Sequence, residues 1–329
     1  MRRREFLTFL GGAAAAFPLP ARAQPPRMRR IGILMSGAEL DLEWPRLESA
    51  FEAEFRKLGW VRGRDLRIDY RWPGDDVQRI NAYAIDLVEL GPEIIVVATA
   101  QGVQAVRRRS ESIPIIFLNV ADPIGGGLVP NITRPGGTTT GFTAPDYSIG
   151  KKWLEIVKEI APRTSRVALV FNPDTAPNAK EFLTPLESAA PAFAIKPAAM
   201  PFRNAQEIER AIEGFARPPN SALLIMPEPS TILERQSIIE LANKYKLPAV
   251  YPFRFFATGG GLASYGADMA VQCKEAAAYV DRILRGQNPG SLPVQAPTKF
   301  ELVINLKTAK TLNLALPSAL LARAQETIE

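Results

Sequence analysis

The chain has 329 residues, enough for two domains of roughly 150 residues each rather than one enlarged core. Its formal net charge of +6 falls to +3 once the four arginines and one glutamate of residues 1–23 are set aside; this is too weak for a phosphate-tracking surface, so no nucleic acid partner is expected. With no histidine, histidine general bases, Ser-His-Asp triads and histidine metal sites are excluded, and one cysteine cannot close an internal disulfide.

Residues 1–23 read as an address. Arg2, Arg3 and Arg4 precede Phe6-Leu7, a weakly apolar Gly/Ala run to Phe17, and the small-residue site Ala21-Arg22-Ala23. The order Arg3-Arg4-x-Phe6-Leu7 resembles a twin-arginine leader. The run is shorter than the roughly 18 apolar residues of a membrane span and is broken by prolines. Cleavage near Ala23 and a periplasmic mature chain are the expectation.

From Arg30 the pattern alternates buried strands with amphipathic helices. A strand Ile31–Met35 ends in Ser36-Gly37, and a helix over about 43–58 carries Leu47, Phe51 and Phe55 on one face. Strands follow at 66–72, 93–99 and 113–120, with a helix over 75–90 stopped by Gly91-Pro92. The third strand runs into Thr99-Ala100-Gln101, where a hydroxyl and the first N–H groups of a helix share one point suited to a carboxylate; a plain N-cap is the alternative. Arg107, Arg108 and Arg109 read as a solvated helix end. The fourth strand leads to Asp122, an acid that could accept an ammonium or cap the next turn, and to Gly125-Gly126-Gly127, whose spacing does not fit a nucleotide loop.

The stretch Pro135–Phe142 reads as a glycine-rich bend, the crossover between two lobes. Beyond it lie a helix over 149–160 and strands at 167–171, 194–199, 222–226 and 249–251. Asn172, with a donor and an acceptor, ends the first of these strands, and Glu228 follows the third, where it could face the cleft or solvent; both are candidates for the facing wall. The run Gly259-Gly260-Gly261 leads to a short strand with Tyr265 and Asp268 at its tip, the strongest local site signal. The next helix places Met269, Cys273, Ala276, Val280 and Ile283 on one face, so Cys273 reads as core.

Strands alternating with helices argue for parallel sheets covered on both faces, hence an α/β chain of two doubly wound parallel-sheet lobes joined by a hinge. Lobe one is assigned residues 28–142 and 257–290, and lobe two 143–256 and 291–329. Gly141, Phe142, Gly259 and Gly260 are assigned to the hinge. Ser36, Gly37, Thr99, Ala100, Gln101, Asp122, Asn172, Glu228, Tyr265 and Asp268 are the candidate ligand contacts.

Several stretches carry a family likeness: the leader, Ile31-Gly32-Ile33-Leu34, the Asp122-Pro123 loop, Pro135-Gly136-Gly137-Thr138-Thr139-Thr140-Gly141, Ser264-Tyr265-Gly266-Ala267-Asp268 and the tail Phe300–Lys310. Together they resemble the substrate-binding proteins of ABC transporters in the TrpX-like group. The resemblance implies a type I periplasmic binding fold and uptake of a small solute through a membrane permease and its ATPase. Some relatives take aromatic amino acids. It implies a non-catalytic monomer with no cofactor and no metal. Thr138 and Thr139 stand where relatives often have Asn. An amino-acid-like ligand would place its carboxylate near Ser36 and Thr99, its ammonium at Asp122 or Asp268, and an apolar side chain under Tyr265. An exported sensory module reporting to a membrane receptor is the rival reading. A two-lobed glycosyltransferase lacks its phosphate motifs, and a sugar-responsive repressor lacks its helix-turn-helix head.

Overall fold

The computed structural model describes residues 28–36, 44–74 and 76–329; the leader and Gly37 lie outside the described residues. The first lobe contains β1 (Arg29–Leu34), α1 (Trp44–Lys57), β2 (Leu66–Arg71), α2 (Val77–Glu89), β3 (Ile94–Val97), α3 (Ala100–Arg107), β4 (Ile115–Val120) and β5 (Thr139–Thr143). The chain then builds α4 (Ile149–Ile160), β6 (Arg166–Phe171), α5 (Ala179–Ala189), β7 (Lys196–Pro201), α6 (Ala205–Ala216), β8 (Ser221–Ile225), α7 (Pro229–Leu233), α8 (Arg235–Lys244) and β9 (Ala249–Tyr251). It ends with α9 (Arg254–Thr258), β10 (Ala263–Ala267), α10 (Met269–Leu284), β11 (Phe300–Asn305), α11 (Leu306–Thr311), α12 (Ser318–Arg323) and β12 (Glu326–Ile328).

Two sheets result. The first is parallel throughout, in the order β2-β1-β3-β4-β5. The second runs β12-β11-β10-β9-β8-β6-β7, with β11 antiparallel to β10 and the remaining pairs parallel. Because successive side chains of a strand point to opposite faces, each sheet needs a core on both sides. Ile94 and Val96 join Ile31, Phe51 and Phe55 on one face of the first sheet, while Ile95 and Val97 join Ala84, Leu87 and Val106 on the other. In the second sheet Val167 and Leu169 pack with Trp153 and Phe182, and Ala168 and Val170 with Ile208 and Ile238.

The chain passes between the lobes three times: after β5, at Asp268, and between Gln295 and Phe300. Two assignments from the sequence change as a result. The strand Ala263–Ala267, given to lobe one, pairs with β9 and β11 in the second sheet. From that stretch α10 and the turn after it return to lobe one, where Cys273, Ala276 and Val280 pack against Leu47, Phe51 and Phe55 of α1 and the Gly290 carbonyl accepts from Gly136 N–H at 3.1 Å. Residues 291–295, given to lobe two, stay there as well, with Leu292 and Val294 buried in lobe-one cores. Gly259 and Gly260 are likewise no hinge. They turn the chain from α9 into β10 within the second lobe, and the Gly260 carbonyl is held there by Asn243 Nδ2 at 3.1 Å and the Thr308 hydroxyl at 2.8 Å.

The bend at 135–142 is also more ordered than its glycines suggest. Gly136 and Gly137 turn with positive φ, but Thr139 and Thr140 begin the edge strand β5, and the crossing begins only at Ala144. Gly141 is required there: a Cβ would stand 2.2 Å from the Phe117 carbonyl oxygen of β4. Phe142 ends up buried, its ring 4.9 Å from that of Tyr279 on α10.

Candidate ligand-binding site

The carboxyl ends of β1, β3 and β4 in the first lobe face the loops after β6 and β8 in the second across a cleft of about 600 Å³. In doubly wound sheets this is where helix N-termini present unpaired N–H groups. Thr99 caps α3, its hydroxyl accepting from Gly102 N–H at 3.0 Å. That leaves the N–H groups of Ala100 and Gln101, both cleft residues, with no partner in their helix. A carboxylate placed there would meet two donors and the positive end of the helix.

Ser36, Thr99, Ala100, Gln101, Asp122 and Glu228 all line this cleft. Asp122 has φ +39 and accepts from Gly125 N–H at 2.8 Å through Oδ1. Its Oδ2 has no hydrogen-bond partner among the described residues, so the carboxylate keeps acceptor capacity. Opposite stand Tyr147, Thr175 and Asn178. The Tyr147 hydroxyl accepts from Asn178 Nδ2 at 3.0 Å. Burial pushes the Tyr147 phenol up against that hydrogen bond, and the Asp122 charge pushes the same way as burial.

The other predicted contacts are spent elsewhere. Glu228 borders the cleft but is only 5% exposed, and its two oxygens accept from Asn172 N–H (3.2 Å), Thr231 N–H (2.9 Å), Ser230 N–H (2.8 Å) and the Thr175 hydroxyl (2.5 Å). A carboxylate offers about four acceptor positions, so Glu228 is saturated and acts as the buried post on which two loops are hung. Burial pushes its carboxyl above the usual range, against these hydrogen bonds. Asn172 belongs to the same network, donating to Ser230 Oγ at 2.9 Å and accepting from Asp174 N–H at 2.9 Å.

Tyr265 and Asp268 do not reach the cleft. Tyr265 stacks on Phe300 with ring centroids 5.8 Å apart, and its carbonyl accepts from Trp153 Nε1 at 2.8 Å. Asp268 caps α10 through Ala270 N–H and pairs with Lys299 and Arg46. The sequence signal was that of a strand tip followed by a helix, and the tip is there; the chain has used its polar groups to fix the second crossing.

The sequence does not mark Tyr147, Thr175 and Asn178 of the second lobe's wall, nor an apolar recess. Met35, Trp44, Leu47, Leu118, Phe253, Phe255 and Met269 line a smaller cavity of about 40 Å³. Ser36, Ala98, Asn119 and Ile232 line both spaces, so the polar cleft opens onto an aromatic and aliphatic floor. Its residues come from five separate segments, and no local pattern marks them.

A family model described as ABC transporter substrate binding protein matches residues 48–328. The tyrosine-binding protein of Clostridioides difficile strain R20291 is 26% identical over 282 residues, covering 84% of this chain and 80% of that protein. A conserved domain protein of Vibrio cholerae O1 biovar El Tor is 26% identical, with a TM-score of 0.81 over 92% of this chain and 100% of that one. The ABC domain of Streptococcus pneumoniae solved in complex with L-Trp is 19% identical, with a TM-score of 0.82 over the same shares.

Proposed function

This chain belongs to the ABC transporter substrate-binding protein family, in its TrpX-like group and with the type I periplasmic binding fold, and on that premise we propose that it captures an amino acid with an aromatic side chain between its lobes. The observation that carries this reading is the junction of the two spaces. Ser36, Ala98, Asn119 and Ile232 border both a polar cleft, which contains a helix N-terminus and an acid, and an apolar recess containing Trp44, Phe253 and Phe255. A zwitterion with a flat apolar side chain matches that division.

In this reading the ligand carboxylate sits at the start of α3, against Ser36, the Thr99 cap and the N–H groups of Ala100 and Gln101, and the ammonium turns toward Asp122. The contacts come from both lobes, so ligand favours the closed arrangement. Closure presents the loaded protein to a membrane permease and its ATPase, and the ligand leaves unaltered. The chain works as an exported monomer in the periplasm, its leader removed near Ala23. The tyrosine-binding relative and the L-Trp complex support the choice of ligand class.

A thermal-shift screen of residues 24–329 against the twenty standard amino acids, organic acids and sugars tests the proposal. At a hundred times its dissociation constant a true ligand adds about 2.7 kcal/mol of stability. The expected result is the largest shift with L-tryptophan, L-tyrosine or L-phenylalanine. Shifts only with sugars or organic acids would overturn it.

A further inference from the structure

We propose that Asn119 recognises an N–H donor of the bound ligand, its side-chain oxygen accepting one hydrogen of the ammonium group at the point where the polar cleft meets the apolar recess. The inference rests on the amino-acid reading above and assigns a specificity-determining contact within it.

The local backbone is what aims the residue. Phe117 pairs with Gly141 and Val120 with Thr143, so Leu118 and Asn119 together stand opposite Phe142 alone. Two residues facing one is a β-bulge, a device that turns a side chain out of its strand's alternation. Regular alternation would send Asn119 to the face where Phe117 is packed with Val97 and Val103. Instead Asn119 has φ +51, in the left-handed region, and lines both the cleft and the recess.

The side chain supplies the second observation. Asn119 Oδ1 is buried and has no hydrogen-bond partner among the described residues. Around it, the Thr99 hydroxyl is taken by Gly102, Asp122 Oδ1 by Gly125, and the Glu228 carboxylate by four donors. A buried unpaired acceptor and a left-handed non-glycine backbone both oppose folding, and here they coincide in one residue on the wall of the cleft. Glycine would remove both costs. The amide oxygen accepts, so a ligand N–H placed against it would pair the acceptor that the fold leaves unpaired.

The test compares wild type, Asn119→Gly and Asn119→Asp. Each of the twenty standard amino acids is screened by thermal shift, and the one giving the largest wild-type shift is titrated calorimetrically into all three proteins. Asn119→Gly is expected to melt without ligand no lower than wild type, because glycine accepts the left-handed backbone, yet to bind about tenfold or more weakly. Asn119→Asp tolerates the same backbone, keeps an acceptor and adds a negative charge near the ammonium, so its affinity is held or raised. Unchanged affinity in Asn119→Gly overturns the inference alone, as does an Asn119→Asp protein that loses as much as Asn119→Gly. A wild-type protein that shifts with none of the twenty overturns the amino-acid reading and this inference with it.

Discussion

The Asp268 carboxylate lies 3.1 Å from the Lys299 ammonium and 3.5 Å from the Arg46 guanidinium, so one acid ties the second and third crossings of the chain to helix α1 of the first lobe. Burial alone would push this carboxyl up. The Lys299 hydrogen bond and charge, with Arg46 and the Ala270 N–H, outweigh burial and hold it below the usual range. A depressed folded-state pKa contributes stability that is full above the unfolded value near 3.8 and is lost as pH falls through the lower folded value. Asp268→Asn should therefore cost about 1 kcal/mol at pH 7, and the gap to wild type should close as pH falls through the acid range below 3.8. Melting curves of both proteins from pH 7 downward check this; a gap independent of pH would show that the charge contributes nothing.

Glu228 gives a second prediction. Glu228→Gln keeps the shape but swaps one acceptor oxygen for a donor facing the Ser230 and Thr231 N–H groups, the Asn172 N–H and the Thr175 hydroxyl. At least one buried donor is then unpaired and one donor meets another, a loss of about 2–4 kcal/mol. The melting temperature should fall by several degrees. Retention of wild-type stability would mean the four bonds contribute little.

The two glycines Gly141 and Gly214 should respond with opposite signs to the same change. Gly141→Ala forces a methyl onto backbone atoms of Phe117, a clash that a side-chain rotation cannot relieve, and should cost about 3 kcal/mol or more. Gly214 lies exposed inside α6 with open space where a Cβ would stand, and alanine there should add about 0.5–1 kcal/mol through helix propensity. Chemical denaturation of each variant decides the pair.

Much of the fold was legible because Ile31, Ile33, Ile95, Val97, Val167 and Leu169 sit in apolar runs of strand length separated by helical periodicity. What could not be read was pairing. Nothing local in Ala263–Ala267 says that it joins β9 and β11 rather than the first sheet, since that choice is made by partners far along the chain. The site divides the same way. Thr99, Ala100, Gln101 and Asp122 were legible as strand ends leading into turns, and they reach the cleft. Asn119 carries no such signal, because its aim depends on a bulge against β5. Tyr265 and Asp268 looked like a site because a polar strand tip has the same appearance whether it faces a cleft or fixes a crossing.

Cys273 should be inert in the native protein. Burial pushes its thiol up to about 12, with the Asp268 charge adding to the effect and Arg46 opposing it. A neutral, enclosed thiol is neither a nucleophile nor an accessible one. An aromatic disulfide reagent at pH 8 should label it only as fast as the protein unfolds, and denaturant should release one thiol per chain. Cys273 borders the apolar recess, so rapid stoichiometric labelling of the folded protein would show that the recess admits the reagent.

The apolar recess carries the final prediction. Phe255 stacks between Phe253 and Phe256, with centroids 5.3 and 5.1 Å away, so its ring is held in place before any ligand arrives. It comes from the second lobe, whereas Trp44, Leu47 and Leu118 on the opposite side of the recess come from the first. An aromatic side chain lodged there would touch both lobes and couple binding to closure. Phe255→Ala removes one wall, and with apolar burial worth roughly 25 cal/mol per Å², the loss of a ring contact should weaken L-tryptophan binding by about 1.5–3 kcal/mol, or roughly 10- to 150-fold. Binding of L-alanine, whose methyl does not reach the recess, should be weak in wild type and little altered by the change. Calorimetric titration of both ligands into both proteins gives the comparison, and small-angle scattering at saturation should show wild type contracting with L-tryptophan. Equal losses for the two ligands would place Phe255 in the fold alone and remove the recess from the account of selectivity.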